Sequence, residues 1–284
     1  MAEQVFDLVD YLEQRVTLPA IAIPHLSPAI GTRSEIEAIA QQVRHEWNVP
    51  LGPIANVVRL MESRGVIVVR LPSGDSKLDP SKVDAFSRWF GERPLVVLWA
   101  DKGDKGRSRF DAAHELGHLV MHTDAEPLDR EQERQANMFA SAFLMPSDAI
   151  GASLVRRAPT VRSWDRVLKE RRRWGVSAKA LLYRSRELGA LPDSAYRRAM
   201  IAYNQHGIAS RDGSELGEPE QPVLLGKALQ PLLRRSDLDQ VASEALVPRT
   251  LLNSVAPSDP TRATSSELLG ERKTTSHLTP TWRT

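Results

Sequence analysis

Residues 109–122, Arg109 to His122, read RFDAAHELGHLVMH. His114 and His118 stand four apart, so on an α-helix they lie one above the other on a single face. Two imidazole nitrogens presented that way suit one divalent metal ion. Glu115 is one residue further round the helix and would border such an ion without joining its ligands. A general base has to sit there to take a proton from water at the metal. Two solvated histidines on a surface helix would show the same spacing. Against that, Ala112, Ala113, Leu116, Leu119 and Val120 make this helix mostly buried, and a buried histidine pair needs a partner. Ser108 and Asp111 have the S-x-x-D form of a capping box, so the helix is expected to begin there. His122 continues the stripe but lies about 12 Å from His114 along a straight helix. Asp124 takes the place where an extended zincin pattern carries its third histidine. His122 therefore reads as a helix-end residue, or a hydrogen-bonding support for a ligand, rather than as a ligand.

The third ligand is expected from the next helical stretch, LDREQERQANMFASAFLMP, Leu128 to Pro146. Asp129 with Gln132 offers a cap and Pro146 a stop. Ala136, Met138, Phe139, Ala142, Phe143 and Leu144 have helical apolar spacing between them. Glu133 and Asn137 are four apart and face one way. A glutamate on a second helix completes a thermolysin-like zinc site, and an amide one turn on can hydrogen-bond a ligand histidine and fix its orientation. Glu133 is thus the expected ligand and Asn137 the support. Glu131 is the competing acid, set aside because no such polar support is read one turn after it.

These two stretches resemble the ImmA/IrrE family of bacterial zinc metallopeptidases. Gly106 to His122, GRSRFDAAHELGHLVMH, is similar to that family's R-F-x-x-A-H-E-L-G-H pattern. Glu133 to Pro146, ERQANMFASAFLMP, is similar to its E-x-x-A-N-x-F-A and L-M-P patterns. Weaker resemblance runs from about Glu35 through Gly189, including GPIANVVRLMESRGV, VDAFSRW and WGVSAKALLYRSRELG. The resemblance implies a small zincin-like domain that cuts a helix-turn-helix repressor at one site, in mobile-element induction or a stress response. Some members carry an N-terminal repressor-like DNA-binding domain, and this chain shows no obvious one.

The remainder of the chain frames that site. Hydrophobic residues at 41% and charged residues at 26% match an ordinary globular composition, and no apolar run approaches the length of a membrane span. The opening MAEQVFDLVD has no basic n-region, so no signal peptide is expected. Cysteine is absent, which removes disulfides and leaves histidine and carboxylate as metal ligands, with the cytoplasm as the expected compartment. Residues 1–24 read as a short helix and linker, the remnant of a fused DNA-binding domain or a simple strip. Residues 25–150 read as the zincin-like domain: helices at Ser34–Trp47 and Pro53–Ser63, strands in VIVVRL, VDAFSRWF and PLVVLWA, then the two helices of the site. His45-Glu46 lacks a later histidine and reads as surface. The fold class expected is α+β. In such domains an edge strand beside the metal helix pairs with an extended substrate, and the pattern does not choose among the three strands.

Residues 151–210 read as a basic helical region. Between Gly151 and Met200 there are 13 Lys and Arg against 4 Asp and Glu, a net charge of +9, where the whole chain carries +2. SWDRVLKERRRW, GVS and AKALLYRSRELG read as helix, turn, helix. A solvated cover over the peptidase is one reading. DNA contact and docking of an acidic partner are the others. Residues 211–256 are expected to form a C-terminal helical bundle, and 257–284 a disordered tail.

Taken together, the sequence predicts a zinc-dependent endopeptidase with His114, His118 and Glu133 on Zn2+ and Glu115 as base. Its substrate would be a protein, with no membrane partner. Arg109, Tyr183, Tyr196, Tyr203 and His206 are the candidates for stabilising the oxyanion. The alternatives are a DNA-binding regulator with a structural zinc site and an antitoxin-like protein that binds a partner without cutting it.

Overall fold

The computed structural model describes residues 2–29, 31–71, 85–99, 104–122, 129–205, 208, 212 and 215–256. The expected 257–284 tail, His206 and Asp124 lie outside the described residues. A three-stranded sheet sits at the centre: β1 (Ile67–Leu71), β2 (Ala85–Phe90) and β3 (Arg93–Trp99), in the order β1-β3-β2. β3 runs parallel to β1, with Ile67 opposite Leu95 and Leu71 opposite Trp99. It runs antiparallel to β2, with Ala85 opposite Leu98 and Phe90 opposite Arg93.

Strand periodicity explains why β1 and β3 are apolar throughout. Successive side chains point to opposite faces, and here each face has its own core. Val68, Val96, Leu98 and Ala85 pack into one, with α2 (Arg33–Glu46), α3 (Val57–Glu62), α4 (Lys105–Met121) and α5 (Arg130–Leu144). Ile67, Val69, Leu71, Leu95, Val97 and Trp99 pack into the other. That second face is covered by α1 (Ala2–Glu13) together with α10 (Leu224–Leu233), α11 (Leu238–Glu244) and α12 (Arg249–Val255). The C-terminal helices expected as a bundle therefore pack across the sheet with α1, where Tyr11 donates a 2.7 Å hydrogen bond to Glu244. The molecule is α+β, with helices on both sides of a small mixed sheet.

The strands and the site helices fall close to where periodicity put them, but one boundary differs. α4 starts a turn before Ser108. Its N-cap is Asp104, whose carboxylate accepts from the backbone N–H groups of Gly106 and Arg107. Ser108 is a buried helix residue that accepts a hydrogen bond from Arg70 of β1. A carboxylate at the N-terminus also suits the helix dipole better than a hydroxyl does.

The basic window is less of a surface than its charge count suggests. Between α5 and α10 the described residues include α6 (Ser147–Ile150), α7 (Trp164–Trp174), α8 (Ala178–Glu187) and α9 (Asp193–Gln205). α7 and α8 do form a helix-turn-helix through Gly175 and the N-cap Ser177. Yet Arg171 is fully buried against Asp212 and Glu215, and Arg184 is buried against Glu37 and the carbonyl of Met145. Within α8 only Lys179 and Arg186 are exposed, so it is a core helix and lacks the open face of a DNA recognition helix. Removing one partner of a buried pair leaves the other charge uncompensated. Arg184→Ala should therefore cost about 3–5 kcal/mol in chemical denaturation, whereas Arg186→Ala, an exposed pair with Asp193, should change it little.

Candidate metal centre

Packing of α4 on α5 builds the site. Gly117 makes the close approach possible: a Cβ there would lie 3.0 Å from the Phe139 ring and 3.3 Å from the Cα of Ala136. The sequence therefore places its smallest residue between the two histidines, on the side that touches α5. Across this contact His114, His118 and Glu133 bring one donor atom each to within 4.8 Å of one another. The Nε2 atoms of His114 and His118 are 3.1 Å apart. Glu133 Oε2 is 3.3 Å from His114 Nε2, and Oε1 is 3.4 Å from His118 Nε2. Tetrahedral zinc with bonds of about 2.0–2.2 Å holds its donors about 3.2–3.6 Å apart. The three side chains thus already stand at the edge lengths of such a tetrahedron.

The tautomers agree with this. Asn137 donates through Nδ2 to the carbonyl of Glu133 at 2.8 Å, which turns its Oδ1 toward His114. That oxygen can only accept, so His114 carries its proton on Nδ1, 3.2 Å away, and leaves Nε2 bare. His122, the C-cap of α4, sits 3.0 Å from His118 through their Nδ1 atoms and 2.8 Å from Gln135 Oε1 through its Nε2. Glu131 turns away from the histidines to pair with Arg134, which holds its carboxyl down at about 2. It also accepts from Gln135, the polar partner one turn on that the sequence reading denied it.

Electrostatics favour a cation between these groups. Burial opposes charge on His114, but Glu133, Glu115 and Asn137 outweigh it and raise its pKa. Burial, with His114 as the nearest like charge, pushes His118 down to about 4. Two rings this close share at most one proton, and the carboxylates that favour that proton favour a metal ion equally. Glu133 in turn is held below its usual range by its bond to His114.

Glu115 is only 5% exposed. Burial pushes its carboxyl up to about 7, against the opposing pull of His114 and of the nearby Ser87 hydroxyl. Ser87 lies on β2 and donates to the Glu115 backbone carbonyl at 3.3 Å, and Trp89 of the same strand donates to the carbonyl of Leu119. Among the described residues β2 is thus an edge strand, laid along α4. Sequence reading did not single out Ser87 and Trp89. Their alternation with Phe86 and Phe90, which pack against the core on the other face of the sheet, is the signal that marks them.

The oxyanion candidates disperse. Arg109 is buried in a pair with Glu220 and donates to the carbonyl of Ile54. Tyr203 donates to Asp212, and Tyr196 lies under the guanidinium of Arg186. Tyr183 is half-buried, with Glu187, Arg186 and Arg134 as charged neighbours. His45 is exposed, as expected of a surface residue.

Comparison with known proteins adds two similarities. Residues 61–186 match the profile of the IrrE N-terminal-like domain, a peptidase family. The chain is also 32% identical over 109 residues to the radiation response metalloprotease IrrE of Deinococcus radiodurans, a match covering 34% of this chain and 32% of that protein. The chain thus aligns with about a third of the length of this curated relative. The profile match runs from the end of α3 to the last turn of α8 and so contains every residue of the centre just described, and it is over this stretch that the chain is similar to the IrrE N-terminal-like domain.

Proposed function

We propose that the chain is a zinc-dependent endopeptidase that cuts a helix-turn-helix repressor at one site, relieving repression in a stress or mobile-element response. The observation that carries the catalytic part is the convergence of three donors at zinc spacing with a buried carboxyl, Glu115, beside them. His114, His118 and Glu133 would hold the ion. When bound, Zn2+ supplies Lewis acidity that brings the pKa of a water near neutrality. Glu115, with its own pKa raised toward 7, is matched to accept that water's proton and to return it to the leaving amine. A structural zinc site does not need such a base, and it ordinarily closes with four protein ligands where three donors converge here among the described residues.

Among the described residues the outer edge of β2 pairs with no strand, and an extended peptide would add there beside the centre. Backbone pairing of that kind gives sequence-tolerant affinity, so selectivity must come from contacts further away. The exposed cations of the basic region support this. Arg162, Arg166, Lys169 and Arg173 recur at helical spacing along α7 and the turn before it, and a partner with an acidic face would meet them. Tyr183 on α8 is the oxyanion candidate to test first.

Mixing the zinc-loaded chain with candidate helix-turn-helix repressors from the same organism, and mapping fragments by mass, should give one or very few cuts in one of them and little digestion of casein. Reversing Arg162, Arg166, Lys169 and Arg173 to Glu should slow repressor cutting and leave zinc content unchanged. Broad casein digestion would overturn single-site specificity. A charge-reversed chain that loses DNA binding in a gel shift but still cuts would assign the stripe to nucleic acid instead.

A further inference from the structure

Glu131, the acid that sequence reading weighed against Glu133, stands at the far end of a hydrogen-bonded line leading back to the metal centre. Each link forces the next. Arg134 holds the Glu131 carboxylate through Nε at 2.9 Å and through Nη2 at 2.5 Å. An ionised carboxylate only accepts, so Gln135, 3.1 Å away, must present its NH2 group to it. That fixes the amide orientation and turns Oε1 of Gln135 toward His122 Nε2 at 2.8 Å. An amide oxygen also only accepts, so His122 carries its proton on Nε2 and leaves Nδ1 bare. His118 Nδ1, 3.0 Å from that bare nitrogen, must then be the donor. A neutral imidazole protonated on Nδ1 has its lone pair on Nε2, the atom that faces His114 and Glu133.

We propose that Glu131, Gln135 and His122 form a relay that sets the metal-binding tautomer of His118, with Gln135 as the positioning residue at its centre. The proposal rests on the reading of His114, His118 and Glu133 as the ligands. It gives His118 the counterpart of what Asn137 does for His114, but delivers it through three side chains instead of one. The relay is also tied to the loop before α2. Arg134 donates to the carbonyl of Gly31 at 2.9 Å, and Gly31 donates to Glu35. Gly31 has a φ of +74°, and a Cβ at that position would overlap the Gln135 amide. The loop thus approaches the relay so closely that only glycine leaves Gln135 in place.

A buried, 8% exposed glutamine could also be mere packing, and the test separates the two roles. Two variants are compared with wild type: Gln135→Leu, which keeps bulk and removes the link; and Glu131→Ala, an exposed change that leaves folding intact. Histidine tautomers are read by nitrogen NMR on the zinc-free chain, and zinc affinity by competition with a chelator. Wild type should show His118 protonated on Nδ1 before zinc is added. Gln135→Leu should lose that preference and bind zinc about 10- to 100-fold more weakly. Glu131→Ala should mix the tautomers of His122 and His118 with a smaller loss of affinity. Unchanged His118 tautomer and zinc affinity in both Gln135→Leu and Glu131→Ala would overturn the relay. So would a Gln135→Leu chain that melts earlier yet holds zinc as tightly as wild type. Failure of the wild-type chain to bind zinc at all would count against the ligand reading instead, while the zinc-free tautomer measurement would still decide the relay.

Discussion

A Glu115→Gln chain will retain its zinc and cut at least roughly a hundredfold more slowly than wild type. The substitution keeps size and polarity and removes only the ability to accept a proton. Glu115 is not among the three converging donors, so metal content measured by atomic absorption should stay near one per chain. Single-turnover cleavage should carry the whole loss, and a variant that cuts at the wild-type rate would remove Glu115 from the mechanism. Stability should move the other way. Burial raises the Glu115 carboxyl from 4.5 to about 7 in the folded chain. Folding therefore favours its protonated form, and that contribution is full below pH 4.5 and lost as pH rises through about 7. At pH 8 the zinc-free Glu115→Gln chain, which has no charge to bury, should melt higher than zinc-free wild type. At pH 4 the difference should vanish. A base kept buried at some cost in stability is the pattern expected where the group serves chemistry.

The site was legible in the sequence to the extent that it is local. His114, Glu115 and His118 lie within one helical turn, and Glu133 with Asn137 within another, so residue type and the 3.6-residue period suffice to group them. Gly117 between the histidines was visible as a residue, but its reason, the approach of Phe139 and Ala136, belongs to the packed pair of helices. Likewise the three strands were legible from their apolar runs, while their order was not. Nothing in VIVVRL or PLVVLWA says that β3 lies between the other two and leaves β2 along α4.

Where the reading went astray, a distant residue was the cause. Ser108 and Asp111 fit a capping pattern, but Ser108 accepts from Arg70, and Asp104 had already started the helix. Counting charge over residues 151–200 treated Arg171 and Arg184 as surface. Their partners, Asp212 and Glu215 in one case and Glu37 in the other, fall outside that window. A window of charge describes a face only when its compensating charges lie inside it. The exposed remainder on α7 is the part of that reading that still has a surface to act on.

Glu133→Ala should abolish zinc binding where Glu131→Ala only weakens it, and this contrast tests the choice between the two acids. Both sit in the first turn of α5, and both are about half exposed, so neither burial nor helix position separates them. Direction does. Glu133 reaches the Nε2 atoms of both histidines at 3.3 and 3.4 Å, and Glu131 is engaged by Arg134 and Gln135. Full protein ligand sets bind zinc with about 10–16 kcal/mol, so losing one of three donors should forfeit roughly 4 kcal/mol, on the order of a thousandfold in affinity. The loss is sharpened because Glu133 is the one charged donor of the three, and without it two neutral imidazoles must hold a dication. Two measurements check it. Zinc retained after dialysis against a weak chelator should be near one per chain for wild type, close to that for Glu131→Ala, and near zero for Glu133→Ala. Added zinc should raise the melting temperature of the first two and leave Glu133→Ala unmoved, since a ligand stabilises only a fold that binds it. Equal zinc loss from Glu131→Ala would mean that the carboxylate on the metal is the other one, and that the geometry between α4 and α5 reorganises around it.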